Sequence, residues 1–342
     1  MTESKGIDRD AVTRWYVEHV EGSRPPLTFE LIAGGNSNLT YRVSDANGRA
    51  TVLRRPPLGQ VLASAHDMSR EHTILTALAC TDVPVARTYA FEPSPDVNGA
   101  PFYVMDHVDG LVVRDQETAR LLPVDARGHA GDSLVDVLLR IHAVDPDSVG
   151  LGDLGRRDNY IERQLRRWHG QWEKSKTREL PDIDRVYAAL ESNVPAAGPA
   201  AIVHGDYKLE NCIVDDDGEV RAVLDWELCT LGDPLADVGL LMVYWNGPND
   251  DALVPDATTA VEGMRSRSEL LSRYAAGSYR DVSNIDFYVA FGYWKLACIV
   301  EGVYARFMGG SMGQRDSDDF QPFARQVEML ATGAVAAVER MR

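Results

Sequence analysis

The chain has 342 residues, of which 44% are hydrophobic and 25% charged, and its 35 basic and 52 acidic residues give a net charge of −17. This composition is typical of a soluble globular protein, and the length is sufficient for one large domain or for two lobes that share a cleft. Nucleic acid and anionic membranes are poor partners for so acidic a surface, and a ligand that carries phosphate would need a local basic group or a metal.

Targeting and redox features are sparse. No run approaches 18 apolar residues and the N-terminus is polar, so we expect no signal peptide, no membrane span and a cytoplasmic location. The cysteines contain no C-x-x-C pair, which favours buried thiols over disulfides or structural zinc. They are Cys80, Cys212, Cys229 and Cys298. Nothing in the pattern indicates an oligomeric state.

The first hundred residues predict a small lobe rich in β-structure. Residues 9–20 place apolar side chains at helical spacing, which predicts a short amphipathic helix. Strands are predicted near 39–44 and 50–55, joined by a turn at "ANG". A helix is predicted over 60–79, and "PFYVMDHVDG", residues 101–110, reads as a strand followed by a break.

The rest of the chain reads mainly as helices. They are predicted at 131–143, 158–178, 184–192, 234–245, 259–276, 284–306 and 317–340. We therefore expect an α+β protein with two lobes. The smaller, N-terminal lobe would span residues 1–107 and the larger, mainly helical one residues 108–342, with a connector near 106–110.

One stretch between the helices carries the chemistry. In "IVHGDYKLENCIV", residues 202–214, apolar runs bracket a polar island, and "CIVDDDGEVRAVLD" predicts a hairpin with Gly218 in its turn. A hairpin returns its exit to its entry, so we expect Asn211 near Asp225, with Asp206 just before the entry strand. Asp225 and the carboxamide oxygen of Asn211 suit Mg²⁺, which prefers hard oxygen ligands, and Asp206 is then free to accept a proton.

"HGDYKLEN" followed by "LDWE" resembles the catalytic loop and metal-binding motif of the aminoglycoside phosphotransferases and their kinase-like relatives. Within that group, "VLDWELCTLGDPLADVG" looks most similar to the kinase-like modules that are joined to acyl-CoA dehydrogenases. The resemblance extends from about residue 27 to about 310. It implies a bilobal protein-kinase-like fold, ATP and Mg²⁺ as cofactors, and transfer of the γ-phosphate to a hydroxyl group of a small molecule.

The resemblance also implies residue roles. Asp206 would be the catalytic base, His204 would brace the loop, and Asn211 and Asp225 would hold Mg²⁺. The loop over the nucleotide phosphates would be "GGNSN", which comprises Gly34, Gly35, Asn36, Ser37 and Asn38. In the connector, adenine would bind the backbone carbonyl of Asp106 and the backbone N–H of Val108.

The N-terminal lobe departs from the kinase pattern at its ion pair. Kinases place a lysine on the third strand, where it contacts phosphates and a helix glutamate. This sequence offers Arg54 there, with Glu71 as its helix partner. Arginine can grip phosphate through two hydrogen bonds, although it is not equivalent to lysine. Arg55 points to the opposite face of the strand, where we expect a solvated side chain.

The sequence leaves the acceptor open. Glu210, Glu227, Asp233 and Asp237 would form an acidic cleft mouth that suits a cationic acceptor such as an aminoglycoside. The resemblance to modules of acyl-CoA dehydrogenases favours instead a hydroxylated acyl-CoA or another small alcohol. An arginine-rich helix at 156–180 could then hold an anionic group. An unspecified small-molecule hydroxyl ranks first, and the alternative to an enzyme is an ATP-binding pseudokinase with a regulatory role.

Overall fold

The computed structural model describes residues 5–33, 38–58, 67–248, 250, 257–309 and 317–341. The chain divides into two compact units. Unit 1 comprises Met1–Gly110, Val149–Leu151 and Arg221–Glu227, and unit 2 comprises Leu111–Ser148, Gly152–Val220 and Leu228–Arg342. The predicted domain boundary at 107/108 stays a prediction.

Unit 1 is built on a five-stranded antiparallel sheet with the order β1-β2-β3-β5-β4. Its strands are β1 (Thr28–Ala33), β2 (Leu39–Ser44), β3 (Ala50–Arg55), β4 (Thr88–Glu92) and β5 (Phe102–Asp106). The predicted hairpin is confirmed: β2 and β3 pair from Leu39↔Arg55 to Ser44↔Ala50. The Asp45 carboxylate closes the turn by accepting from the backbone N–H groups of Asn47 and Arg49, each at 2.9 Å.

Two helices belong to unit 1, α1 (Arg9–His19) and α2 (Met68–Leu78). The predicted helix at 9–20 is confirmed, and its buried face packs Trp15 and Tyr16 into a core with Phe29, Tyr41 and Phe102. Helix α2 begins later than the predicted residue 60, because the Asp67 side chain caps it by accepting from the backbone N–H of Arg70 at 3.1 Å. Residues 60–66 of that prediction lie outside the described part of the chain.

Unit 2 is mainly helical. Its helices are α3 (Gln116–Ala119), α4 (Val124–Ala143), α5 (Tyr160–Ser175), α6 (Pro181–Ser192), α7 (Leu235–Tyr244), α8 (Arg267–Gly277), α9 (Ile285–Met308) and α10 (Ser317–Arg340). The long helix α9 packs against α10, α7 and α5. None of the described helices is both long and apolar enough to cross a membrane.

Short strands interrupt these helices at β6 (Leu111–Val112), β7 (Ala201–Val203), β8 (Cys212–Val214), β9 (Val220–Val223) and β10 (Thr230–Gly232). Strand β7 pairs with β10, and β6 pairs with β8. Strand β9 follows β8 after a turn in which the backbone N–H of Gly218 donates to the carbonyl of Asp215 at 3.0 Å. The chain passes from unit 2 to unit 1 within β9.

Three helix starts in unit 2 differ from the prediction by three residues or more, and α6 begins at Pro181 rather than 184. Helix α4 begins at Val124 rather than 131, because Gly128 and Gly131 do not break it: a Cβ at Gly131 would lie 3.1 Å from the Trp245 ring, so close packing selects glycine there. Helix α8 begins at Arg267 rather than 259, where Ser266 and Glu269 form a capping box. The thiol prediction was wrong for Cys80, which is exposed, whereas the other three cysteines are buried, and none of the four forms a disulfide.

Candidate active site

The loop between β7 and β8, residues 204–211, holds the polar island of the sequence. It begins at His204, which is fully buried, and ends in a single 3-10 turn at Leu209–Asn211. Gly205 adopts a φ of +86°, and a Cβ there would lie 2.9 Å from the carbonyl oxygen of Leu228. Both the left-handed backbone and the close approach require glycine at this position.

A buried carboxylate on α7 fixes the start of this loop. Asp237 accepts the backbone N–H of His204 at 2.7 Å through Oδ2 and that of Gly205 at 2.8 Å through Oδ1. The Nε2 atom of His142 lies 3.4 Å from Oδ2, and its Nδ1 atom lies 2.9 Å from the hydroxyl of Tyr274. Burial alone would raise the pKa of Asp237, but the hydrogen bond and charge of His142, with the other donors, lower it. Asp237 therefore stays ionised and anchors the loop.

A lysine on α9 holds the same loop from its carbonyl side. The Nζ atom of Lys295 donates to the Gly205 carbonyl at 2.9 Å and lies 5.9 Å from the centre of the Trp168 ring. Burial lowers the pKa of Lys295, although the charges of Asp237 and Asp206 oppose the shift. Asp237 and Lys295 thus bind the two polar faces of the Gly205 backbone.

The carboxylate of Asp206 lies at the centre of this arrangement, 24% exposed. The Nζ atom of Lys208 lies 3.0 Å from Oδ2, the hydroxyl of Tyr244 donates to Oδ1 at 3.1 Å, and Nδ2 of Asn211 donates to Oδ2 at 3.0 Å. Burial, together with the charge of Asp206, raises the pKa of Tyr244, so that the hydroxyl keeps its proton and donates. The Nζ atom of Lys208 also lies 3.2 Å from Oδ1, so these donors hold both oxygens of the carboxylate.

The other two predicted residues of the loop, His204 and Asn211, both form hydrogen bonds with Asp206. Nδ1 of His204 accepts the backbone N–H of Asp206 at 3.3 Å, which is the kind of contact a bracing role requires. Asn211 also donates through Nδ2 to the Asp206 carbonyl at 2.8 Å, and its Oδ1 points away from these two bonds. The catalytic and metal-binding roles of His204, Asp206 and Asn211 remain predictions.

In unit 1 the structure brings together Arg54, Glu71 and Asp225. The Nε atom of Arg54 lies 3.1 Å from Oε2 of Glu71, which is 3% exposed, and Nη2 lies 2.7 Å from Oδ1 of Asp225, which is 36% exposed. Burial lowers the pKa of Arg54, but the charge of Glu71 and then those of Tyr103 and Asp225 outweigh it, so that the pKa is raised. Asp225 itself has a φ of +63°, a rare conformation for a non-glycine residue.

Arg55 corrects the expectation of a solvated side chain. It is 5% exposed, and its guanidinium donates to the carbonyls of Gly6, of Pro56 at 3.3 Å and of Asn98 at 3.1 Å. Burial lowers its pKa. The two arginines do point to opposite faces of β3, but the N-terminal segment and the Asn98 loop cover the second face.

The predicted nucleotide contacts are only partly within the described structure. Gly34, Gly35, Asn36 and Ser37 lie outside the described residues. Asn38 is 4% exposed, and neither its Nδ2 nor its Oδ1 has a hydrogen-bond partner in the described part of the chain.

At the connector, Asp106 ends β5, and its backbone N–H donates to the carbonyl of Arg87 at 2.8 Å, while its carboxylate accepts from Tyr89. Val108 follows in an irregular, partly buried segment.

The expected acidic cleft mouth is wrong for Asp237, which is 1% exposed and bound to backbone. Glu210 is held by the hydroxyl of Thr258 at 2.8 Å, and Asp233 by the hydroxyl of Tyr288 at 2.6 Å. Glu227 is exposed. The argument for a cationic acceptor therefore loses Asp237 and is weakened for Glu210 and Asp233.

Sequence reasoning assigned no role to Lys208, Tyr244 or Lys295. The signal for Lys295 was present: it is a lone cation in the apolar run "VAFGYWKLACIV", where an unpaired charge would be costly. Tyr244 ends α7, 38 residues from Asp206, and no local pattern marks it.

Comparison with known proteins agrees with this geometry. The model of the phosphotransferase enzyme family matches residues 28–271, which is well over half of the chain. The chain belongs to this family. It is therefore an enzyme of the phosphotransferase class, with the mixed α+β, kinase-like architecture that the sequence motifs predicted.

Two solved structures place the fold. A crystal structure of a Ralstonia eutropha protein named after the aminoglycoside phosphotransferases is 32% identical, with a TM-score of 0.79 over 96% of this chain and 99% of the other. The amicoumacin kinase hAmiN is 16% identical, with a TM-score of 0.62 over 95% and 93% of the two chains, and shows the fold alone.

Curated relatives point to a particular branch. Acyl-CoA dehydrogenase family member 10 of Mus musculus is 32% identical over 336 residues, which is 96% of this chain and 31% of the relative. Acyl-CoA dehydrogenase family member 11 of Rattus norvegicus is 33% identical over 90% of this chain and 40% of the relative. The chain thus spans about a third to two fifths of the length of these relatives.

Proposed function

We propose that the protein transfers the γ-phosphate of ATP to a hydroxyl group of a small molecule, with Asp206 as the catalytic base. The observation that carries the proposal is the restraint of the Asp206 carboxylate by Lys208, Tyr244 and Asn211, on a loop whose backbone Asp237 and Lys295 hold. A base must be fixed within hydrogen-bond reach of the proton that it takes.

In the reaction, Asp206 accepts the proton of the attacking hydroxyl as the phosphoryl group is transferred. Lys208 and Tyr244 restrain the orientation of the carboxylate. When bound, Mg·ATP supplies the phosphoryl group and the cation neutralises part of the phosphate charge.

We assign the divalent cation to Asp225 of unit 1 and Asn211 of unit 2 on the chemistry of each side chain. Asp225 gives Oδ1 to Arg54, and Oδ2 is the oxygen left for a metal. Asn211 gives its Nδ2 to Asp206, which leaves the carboxamide oxygen as its metal ligand. Carboxylate and carboxamide oxygens are the protein ligands that Mg²⁺ prefers. Among solved relatives by fold, hAmiN was determined with AMP-PNP and Ca²⁺.

Nucleotide binding is supported by unit 1. The buried carboxamide of Asn38 has no partner in the described structure, and such a group costs about 1–3 kcal/mol unless something binds it. We assign it, with Gly34, Gly35, Asn36 and Ser37, to the phosphates. We assign Arg54, positioned by Glu71, to the phosphates as well, and the backbones of Asp106 and Val108 to adenine.

For the acceptor we propose a small hydroxylated molecule of the hydroxyacyl type ahead of an aminoglycoside. The relatives named as acyl-CoA dehydrogenases support the first, whereas the Ralstonia eutropha relative carries the name of the second. The engagement of Glu210, Asp233 and Asp237 within unit 2 weakens the argument for a cationic acceptor.

An ATP-binding pseudokinase is the second candidate, because Arg54 replaces the usual lysine and already binds two carboxylates. The deciding experiment measures Mg²⁺-dependent ATP turnover against a panel of CoA thioesters and aminoglycosides. We expect turnover with one acceptor class and a loss of about 10²–10⁴-fold in Asp206→Asn. Asp216→Asn, in an exposed turn, is the control and should match the wild type. ATP binding without any turnover would favour the pseudokinase.

A further inference from the structure

A basic groove lies between α5 and α9 in unit 2, with a volume of about 770 Å³. Four of its lining side chains are cations, Arg166, Arg167, Lys174 and Arg306, and none of the described residues that line it is acidic. We call it the α5–α9 groove. In a chain with a net charge of −17, a groove lined by cations alone is a local reversal of charge.

The side chains of these four cations are exposed. Within the part of the chain that the structure describes, no carboxylate lies within 4.0 Å of any of them. Other basic residues of this region are engaged: Arg157 pairs with Asp147 at 2.5 Å, and Arg178 pairs with the buried Glu301 at 3.3 Å. Like charges that line one groove repel one another, so an anion between them would relieve the repulsion.

Glycine residues line the floor of the groove on both helices. Gly170 lies on α5, where a Cβ would meet nothing within 4 Å, and Gly302 lies opposite on α9, where a Cβ would come 3.0 Å from Nε2 of Gln171. Glycine inside a helix is destabilising, so its use on both sides needs a reason. Open space at Gly170 leaves room for a ligand to reach the helix backbone.

The groove adjoins the candidate catalytic loop through three contacts. The guanidinium of Arg167 lies 4.9 Å over the Trp168 ring, Lys295 lies 5.9 Å from the same ring, and Lys295 donates to the Gly205 carbonyl. Arg167 and the lysine that holds the Gly205 carbonyl thus both contact the ring of Trp168.

We propose that the α5–α9 groove binds a small molecule through its phosphate groups. Arginine forms paired hydrogen bonds with phosphate oxygens, and three arginines with a lysine can neutralise more than one phosphate charge. The groove is the size of a small-molecule site, and the acidity of the whole chain disfavours nucleic acid as the occupant. The proposal stands independently of the phosphotransferase function and of the metal ligands assigned above.

Inorganic tripolyphosphate is the probe, measured by titration calorimetry on the full chain in excess chelator and at low salt. We expect one bound tripolyphosphate per chain in the wild type and at least a tenfold weaker affinity in the double variant Arg166→Glu/Lys174→Glu. The control Arg120→Glu/Arg185→Glu makes the same change in net charge at two exposed positions elsewhere and should bind within twofold of the wild type. Equal weakening in both variants would show attraction by net charge alone and would overturn the proposal.

A steric variant provides a second arm. Gly170→Trp adds a large side chain where the structure has open space, leaves the charge unchanged and should also abolish binding. Circular dichroism checks that each variant is folded. Asp225→Asn separates this site from the proposed metal site: its tripolyphosphate affinity should equal that of the wild type. Full binding by Gly170→Trp, or loss of binding in Asp225→Asn, would place the anion elsewhere.

Discussion

Asp237 and Gly205 lie 32 residues apart in the sequence, and the Oδ1 atom of Asp237 accepts the backbone N–H of Gly205 at 2.8 Å. The same carboxylate accepts the N–H of His204 through its other oxygen. Asp206 follows directly in the chain. The position of the proposed base therefore depends on Asp237, a side chain of α7 that binds the backbone of the loop. Asp237 is thus a positioning residue, buried at 1% exposure.

Replacement of Asp237 by asparagine should lower both stability and turnover. The amide can accept only through its oxygen, so one buried backbone N–H would face an NH₂ group, at a cost of about 1–3 kcal/mol in the free energy of unfolding. Urea denaturation measures this cost. Asp182→Asn, at a 52% exposed side chain on α6, should change the free energy of unfolding by less than about 0.5 kcal/mol. Equal stability of the two variants would contradict the anchoring role.

The buried His142 should make stability depend on pH. Burial lowers its pKa below the ordinary 6.5, although the hydrogen bond to Asp237 opposes the shift. As the pH falls below about 6.5, His142 therefore binds a proton in the unfolded chain before it does so in the folded chain. This contribution to stability is complete above pH 6.5 and is lost as the pH falls below it, by at most about 1.4 kcal/mol per pH unit.

The measurement compares the free energy of unfolding at pH 7.5 and pH 5.5 in the wild type and in His142→Gln. The wild type should lose more stability over this interval than the variant does. The lowered pKa of Asp237 acts only below its ordinary value of 3.8, outside the interval. Burial also lowers the pKa of His72, which gives the same slope in both proteins and cancels in the difference. Identical losses would mean that the pKa of His142 is the same in the folded and the unfolded state.

Local signals in the sequence predicted the elements whose causes are local. The "ANG" turn and alternating strands gave the β2–β3 hairpin to the residue, because the Asp45 turn closes on its own neighbours. The start of α4 was predicted at 131 but lies at Val124, and both Gly128 and Gly131 lie inside the helix; Trp245, far along the chain, explains Gly131. The strand pattern of Arg55 gave its face correctly but could not show that Gly6 and Asn98 cover that face.

The site divides in the same way. Asp206 and Asn211 form one motif within six residues, so their association could be predicted, and the structure joins them at 3.0 Å. Tyr244 and Lys295 reach the loop from α7 and α9, 38 and 90 residues from their partners. Such contacts arise from helix packing, which a single sequence does not specify.

The ion pair of Arg54 and Glu71 should show strong coupling. Arg54→Met would leave Glu71 buried without its cation, which costs about 3–5 kcal/mol when one partner of a buried pair is removed. The double variant Arg54→Met/Glu71→Leu removes both charges and should be more stable than the single variant. Urea unfolding of the full cycle measures the coupling, with the exposed Arg14→Met as the control. A double variant less stable than Arg54→Met would argue against a compensated pair.

Asp225 should be required for the metal dependence of nucleotide binding. The ATP phosphates bring several negative charges toward acidic side chains, and a divalent cation offsets that repulsion. Asp225→Asn is the matched variant, because asparagine tolerates the observed φ of +63° while losing the charge. Calorimetry should show ATP affinity that rises with Mg²⁺ in the wild type and stays flat in the variant. Equal ATP binding by the wild type in excess chelator would remove the metal assignment.

The hydroxyl of Tyr244 should matter for turnover but not for nucleotide affinity. It donates to Oδ1 of Asp206 at 3.1 Å, and its ring lies 4.4 Å from the Nζ atom of Lys208, which contacts the same carboxylate. Tyr244→Phe removes only this donor and keeps the ring under Lys208, so the carboxylate gains rotational freedom. We expect kcat to fall about tenfold, the change that corresponds to about 1.4 kcal/mol, with Mg·ATP affinity unchanged.

Tyr187→Phe is the control for this substitution, because its hydroxyl donates to Glu191 on the surface of α6. It should retain the kcat of the wild type. Combining Tyr244→Phe with Asp206→Asn gives the decisive comparison. If Tyr244 acts by orienting the base, its removal should have little further effect once the base is gone, since both changes remove the same function. Independent, multiplying losses in the double variant would show that Tyr244 acts on turnover by a route other than Asp206.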